Sequence, residues 1–191
     1  MNERFYPCAF IMNDYSEKDK NLNYIAYYRF KSLKSNLFYI VRVEVYDKHV
    51  YGLKFYLKKM NFSRRKYSFI TNTNEPRTII YTIFHLMKEE ILRNDSMASF
   101  MFVGNADEGM NYENTRRYRF YSQMVRNTIS DEFFLHIVSD KVSLYILLNK
   151  QNAKREPELQ ELVIDEFFQR FVQEETVSNP DAETLIDLNR Y

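Results

Sequence analysis

The cationic side chains with the most ordered spacing are Arg116, Arg119 and Arg126, with Gln123 between them. At 100° per residue these four fall within about a quarter of a helix circumference, so one helix would carry a guanidinium stripe. A guanidinium donates two parallel hydrogen bonds to a carboxylate or phosphate, which makes such a stripe a contact for an acidic protein or a nucleic acid. The plainer reading is a solvated helix face, or one paired with Asp107, Glu108 and Glu113 just upstream. A second set, Lys54, Tyr56, Lys58, Arg64 and Arg65, extends the basic positions Arg29, Lys31 and Arg42. Cations interleaved with rings suit single-stranded nucleic acid, because rings stack on bases while cations follow the phosphates. The same pattern is also the polar outer face of an antiparallel sheet, where lysines discourage edge-to-edge pairing.

Catalytic groups are sparse. Gly104-Asn105-Ala106-Asp107-Glu108-Gly109 lies between an apolar run and a helix start, where Asp107, Glu108 and Arg116 would form a small acid–base or ligand-binding cluster. The alternative is a plain solvated connection. Three glycines in the whole chain leave no phosphate-cradling loop. His49, His85 and His136 fall in different elements without metal-ligand spacing, and Cys8 has neither a second cysteine nor an obvious base. No metal and no cofactor is expected, and a non-enzymatic role is favoured.

The elements that must position these residues follow from periodicity. Tyr28 and Phe30, then Val41, Val43 and Val45, then Leu53, Phe55 and Leu57 alternate with polar or charged neighbours, which predicts three consecutive half-buried strands. Asp47-Lys48 suits a hairpin, and a short strand over 67–71 is also expected. Asn and Thr caps with Pro76 then open a helix over about 75–93, with Ile79, Ile80, Ile83, Phe84, Met87 and Ile91 on one face. Residues 99–103 read as a buried strand. A second helix begins near Thr115 with Phe120, Tyr121, Met124 and Val125 as its core side. Residues 133–138 and 142–148 read as a hairpin, and a third helix over about 157–174 turns Leu159, Val163, Ile164, Phe167 and Phe171 inward. The predicted class is α+β, with one mostly antiparallel sheet and helices packed on one face.

Charge divides the chain. Residues 29–66 hold eleven Lys and Arg against two Asp and Glu, whereas 156–191 hold two against ten. The basic part therefore invites an acidic partner, unless the acidic helix and tail fold back over it and neutralise it internally. At 191 residues with 17% aromatic content, the chain suffices for one domain with a full core. The division expected is a mobile leader at 1–23, a single domain at 24–174 and an acidic tail at 175–191. No long apolar run and no basic-then-apolar start is present, so a cytoplasmic protein without a membrane partner is expected.

Several segments resemble a known family. They are Tyr28-Arg29-Phe30-Lys31-Ser32, Tyr39-Ile40-Val41, Thr78-Ile79-Ile80-Tyr81-Thr82-Ile83, the run from Phe102 to Gly109, and Thr115-Arg116-Arg117-Tyr118-Arg119-Phe120, with Ser143 to Leu147 and Asn149 fitting a closing strand. Over about residues 24–172 the chain is similar to a family of small bacterial proteins described only as a domain of unknown function. That resemblance implies a compact α+β fold and no assigned activity. Three functional readings follow from the residues: an interaction module using Arg116, Arg119 and Arg126 with Asp107 and Glu108 beside them, a nucleic-acid binder using Lys54, Tyr56, Lys58, Arg64 and Arg65 as well, and a small-molecule enzyme built on residues 104–119. The last would need a concave pocket with converging polar groups at that loop.

Overall fold

Backbone pairing gives order to the chain from Ala9 onward in the computed structural model, which describes residues 5–17, 21–63, 65–67, 73–107 and 111–165. Strand β1 (Ala9–Asp14) pairs antiparallel with β2 (Leu22–Lys31), β2 with β3 (Phe38–Tyr46), and β3 with β4 (Val50–Leu57). The expected leader therefore supplies an edge strand. Its side chains are almost all exposed, so no alternation marks it in the sequence, and it is held by the backbone ladder together with an edge-on contact of Phe10 with Tyr28 at 5.5 Å. Ahead of it, Tyr6 is buried in the core and donates its backbone N–H to Thr82 Oγ1 at 2.9 Å. The β3–β4 turn is tight, with Lys48 and His49 both at positive φ (56° and 61°), as a hairpin of this hand requires.

Helix α1 (Pro76–Leu86) continues in wider π-type turns through Met87–Leu92 and carries the chain across to β5 (Ser99–Val103), which lies parallel to β4. A parallel pair needs such a crossover. Helix α2 (Arg116–Thr128) then precedes the hairpin of β6 (Phe134–Ser139) and β7 (Leu144–Asn149), followed by the short α3 (Lys150–Arg155). The seven strands run in the order β1-β2-β3-β4-β5-β7-β6. The class is α+β with a mostly antiparallel sheet.

One face of the sheet presents Phe30, Tyr39, Val41, Val43 and Leu53 to Ile79, Ile83 and Leu86 of α1, and Tyr145 and Leu147 to Tyr118 and Val125 of α2. Phe30 and Tyr39 stack at 4.9 Å. Each such side chain contributes about 1.5–3 kcal/mol on burial. The helices do not all take that face. Residues 159–165 are helical, and Leu159 and Val163 close over Val50, Met101, Ile146 and Leu148 on the opposite one. The reason is visible in β5 and β7, which are apolar at successive positions and so need cover on both sides. The expected helix over 157–174 is described as far as 165, and the expected tail and the greater part of the strand over 67–71 lie outside the described residues.

Candidate binding cleft

The entry to α2 is fixed by close contacts. Thr115 caps the helix, its Oγ1 accepting from the Tyr118 N–H while donating to the Gly104 carbonyl, and its own N–H donates to Ser143 Oγ at 2.9 Å. Gly104 lies so near that a Cβ there would sit 2.3 Å from Tyr118 N. Only glycine lets β5 and α2 approach in this way. The first turn of α2, and with it Arg116 and Arg117, is therefore held rigidly against the sheet.

Beyond Gly52, β4 and β5 no longer pair, and the space between the end of β4, the start of α1 and the start of α2 is a cleft of about 380 Å3. Phe55, Leu57 and Ile80 supply apolar wall, Phe120 and Tyr121 come from α2, and Lys66, Tyr67, Arg116 and Arg117 line the rest. Phe55 and Tyr121 lie 6.0 Å apart, and the Lys66 ammonium stands over the rings of Tyr56 and Tyr67 at 4.8 and 5.2 Å. Burial pushes the Tyr121 hydroxyl up to about 12, with the nearby Arg117 opposing that shift, so it stays a neutral donor. Phe120 and Tyr121, expected in the core, are half-buried and face this cleft; Tyr118, Met124 and Val125 take the core side.

The expected site residues divide accordingly. Arg116 is 66% exposed at the cleft and approaches Asp107 at 3.7 Å, whereas the largely buried Arg117 takes Asp107 at 3.1 Å and the Asn105 carbonyl at 2.9 Å. Asp107 thus orients both arginines. Arg119 is exposed and donates to the Asn114 carbonyl, and Arg126 is exposed in the last turn of α2, about 15 Å along the helix axis from Arg116. Glu108 and Arg64 lie outside the described residues.

The strand platform is corrected. Glu44 is fully buried and collects Arg42 Nε and Lys54 Nζ, each at 3.1 Å, together with the Tyr46 hydroxyl at 2.7 Å. Glu17 reaches Arg42 at 2.7 Å, and the Tyr67 ring lies 5.8 Å from the Lys54 ammonium. Tyr56 is 4% exposed and donates to Asn61 Oδ1. Bases cannot stack there, because the cations are neutralised by this chain's own carboxylates and the ring is covered. These two counter-ions come from β3 and the loop before β2. Lys58 and Arg65 remain exposed.

The other polar groups are engaged structurally. His49 Nδ1 and the Tyr51 hydroxyl share Asp95 Oδ2 at 2.8 and 2.7 Å, His85 stacks on Phe5 at 3.8 Å, and His136 Nδ1 lies 2.7 Å from the Tyr145 hydroxyl. Among the described residues no group of three or more His, Cys, Asp or Glu is arranged to hold a metal ion, and no helix is long and apolar enough to cross a membrane. Sequence reasoning missed Arg117, Lys66, Phe55 and Tyr67 as cleft residues. The signal available was the shared helical face of Arg117, Phe120 and Tyr121 at i, i+3 and i+4. No family model matches the chain, and no match is found among curated proteins or solved structures, so the functional reading rests on these residues alone.

Proposed function

We propose that this is a non-enzymatic interaction protein whose cleft receives an acidic protein segment. An apolar or aromatic side chain of the partner enters between Phe55, Ile80 and Tyr121, and its flanking carboxylates meet Arg116 and then Arg119. The observation that carries the reading is the convergence of Lys66, Arg116 and Arg117 on an aromatic-walled cleft of about 380 Å3, the size range of ligand and anchor pockets. Buried anchors with a charged rim are the usual division of labour at protein interfaces, the anchor giving affinity and the rim giving steering. The enzyme reading has less support, since Asp107 is engaged with Arg116 and Arg117 and, among the described residues, the lining holds no Ser, Cys, His, Asp or Glu beside Lys66, Thr73 and the tyrosines.

A random copolymer of glutamate and tyrosine is a suitable probe, with oligo(dT) as its counterpart. The copolymer is expected to bind, R116E to weaken it on the order of tenfold, and R126E to leave it nearly unchanged because that residue lies too far along α2. Equal losses in the two variants would move the contact from the cleft to the helix stripe. Binding of oligo(dT) without the copolymer would replace the acidic-protein reading by nucleic acid.

A further inference from the structure

The end of the sheet formed by the β2–β3 turn and the chain leaving β4 presents Lys31, Leu33, Phe38, Lys58 and Phe62, none of which lines the cleft. Lys31 and Phe38 face each other in register, and the Lys31 and Lys58 ammonium groups stand 5.5 and 5.8 Å from the centre of the Phe38 ring. This contact joins the ends of three strands. Leu33 in the adjoining turn is 71% exposed, Phe38 is 42% exposed, and Phe62, two residues past the helical turn Lys58–Met60, is 99% exposed. Lys31, Lys34, Lys58, Lys59 and Arg65 are exposed in the same two segments, Lys34 donating to the Asn74 carbonyl at 2.9 Å. Residues 29–43 and 48–74 contain no Asp or Glu at all; of the bordering carboxylates Glu44 and Glu75 are buried, and the exposed Asp47 lies in the β3–β4 turn at the other end of the strands. Among the described residues of these two segments the surface is thus apolar at its tips and carries exposed side chains of positive charge only.

We infer that this end docks on an anionic lipid surface, with Leu33 and Phe62 entering the interface and the lysines held at headgroup level. Charge complementarity selects the occupant class, since each lysine near an anionic leaflet adds a favourable increment. The side-chain types then decide between lipid and nucleic acid. Leu33 has no π face to stack on a base, and the ring of Phe38 is already covered by two ammonium groups, whereas leucine and phenylalanine tips flanked by lysines are what an interfacial anchor uses. Such docking lies on the membrane and needs no spanning helix.

The test is co-sedimentation of the full chain with vesicles of phosphatidylcholine alone and of phosphatidylcholine with phosphatidylserine. Binding is expected only to the second, falling by roughly fivefold for each lysine neutralised among Lys31, Lys58 and Lys59 and on the order of tenfold in L33S/F62S. All five positions are exposed, so the variants keep the wild-type unfolding transition as a control. The inference is independent of the cleft, and R116E is expected to bind vesicles as the wild type does. Vesicle binding unchanged in L33S/F62S would show a purely electrostatic association without insertion and overturn the proposal. Equal binding to both vesicle types, no binding to either, or binding of oligo(dT) through the same lysines in place of vesicles would overturn it as well.

Discussion

The Tyr6 hydroxyl donates a 2.7 Å hydrogen bond to Glu75 Oε2, tying the start of the chain to the residue that opens α1. Ser32 Oγ donates to the same oxygen at 2.6 Å, so the carboxylate bridges the N-terminal segment, the end of β2 and the first turn of α1. That first turn lines the cleft. Y6F removes one charge-assisted bond from a buried acceptor while keeping the ring, and is expected to cost about 1.5–3 kcal/mol. Urea unfolding with both proteins at neutral pH measures the difference.

Glu75 also predicts a pH dependence. Burial alone would raise its carboxyl, but hydrogen bonds from Ser32, Ser35, Tyr6 and Thr73 outweigh burial and hold it below the ordinary glutamate value. The unfolded state therefore binds the proton more readily, and stability rises with pH through this group. Its contribution is full above the ordinary glutamate range and is lost as pH falls through the lowered folded value. E75Q is expected to flatten that part of the stability profile, which denaturant midpoints taken across the acidic range will resolve.

Glu44 is the second buried carboxylate, and its removal leaves Arg42 and Lys54 facing each other without the oxygen that they share. Breaking a buried ion pair from one side costs about 3–5 kcal/mol, so E44A is expected to lose that much by thermal or denaturant unfolding. A wild-type-like transition would show that Glu17 alone suffices for the two cations.

These two carboxylates mark where sequence reasoning stops. The alternation in Val41-Arg42-Val43-Glu44-Val45 assigned the faces of β3 correctly, and the period change at Pro76 located α1. Alternation says which residues share a face and nothing about what covers it, so Arg42, Glu44 and Lys54 read as a wet outer surface until Glu17 and Tyr67 are seen reaching over them. Strand β1 was illegible because its exposed side chains follow no period, and the second helical layer because a strand apolar throughout does not say from where its cover comes. In the cleft, Arg116 was legible from helical spacing. Phe55 and Lys66 were not, since they meet α2 only through the divergence of β4 from β5.

Cys8 offers a chemical check on the burial of the N-terminal segment. Burial, aided by the charge of Glu90, pushes its thiol up to about 12, against roughly 8.5 for a free cysteine. The thiolate is the reacting species, so iodoacetamide near neutral pH is expected to label the native protein far more slowly than the urea-unfolded chain, as read by mass spectrometry. Rapid native labelling would mean that residues 5–8 leave their place beside α1.

The junction of β5 with α2 gives the sharpest link between packing and the cleft. A Cβ on residue 104 would lie 2.3 Å from Tyr118 N and 2.5 Å from Tyr118 Cα, both backbone atoms that cannot rotate away. G104A must then push the first turn of α2 off the sheet, breaking the Thr115 contacts to the Gly104 carbonyl and to Ser143. Overpacking of this kind costs about 1–3 kcal/mol. Because Arg116 and Tyr121 move with that turn, G104A is expected to lose binding of the glutamate–tyrosine copolymer more severely than its stability loss explains, while vesicle binding through Phe62 and Lys58 persists. Equal loss of both activities would mean global unfolding and not displacement of the cleft wall.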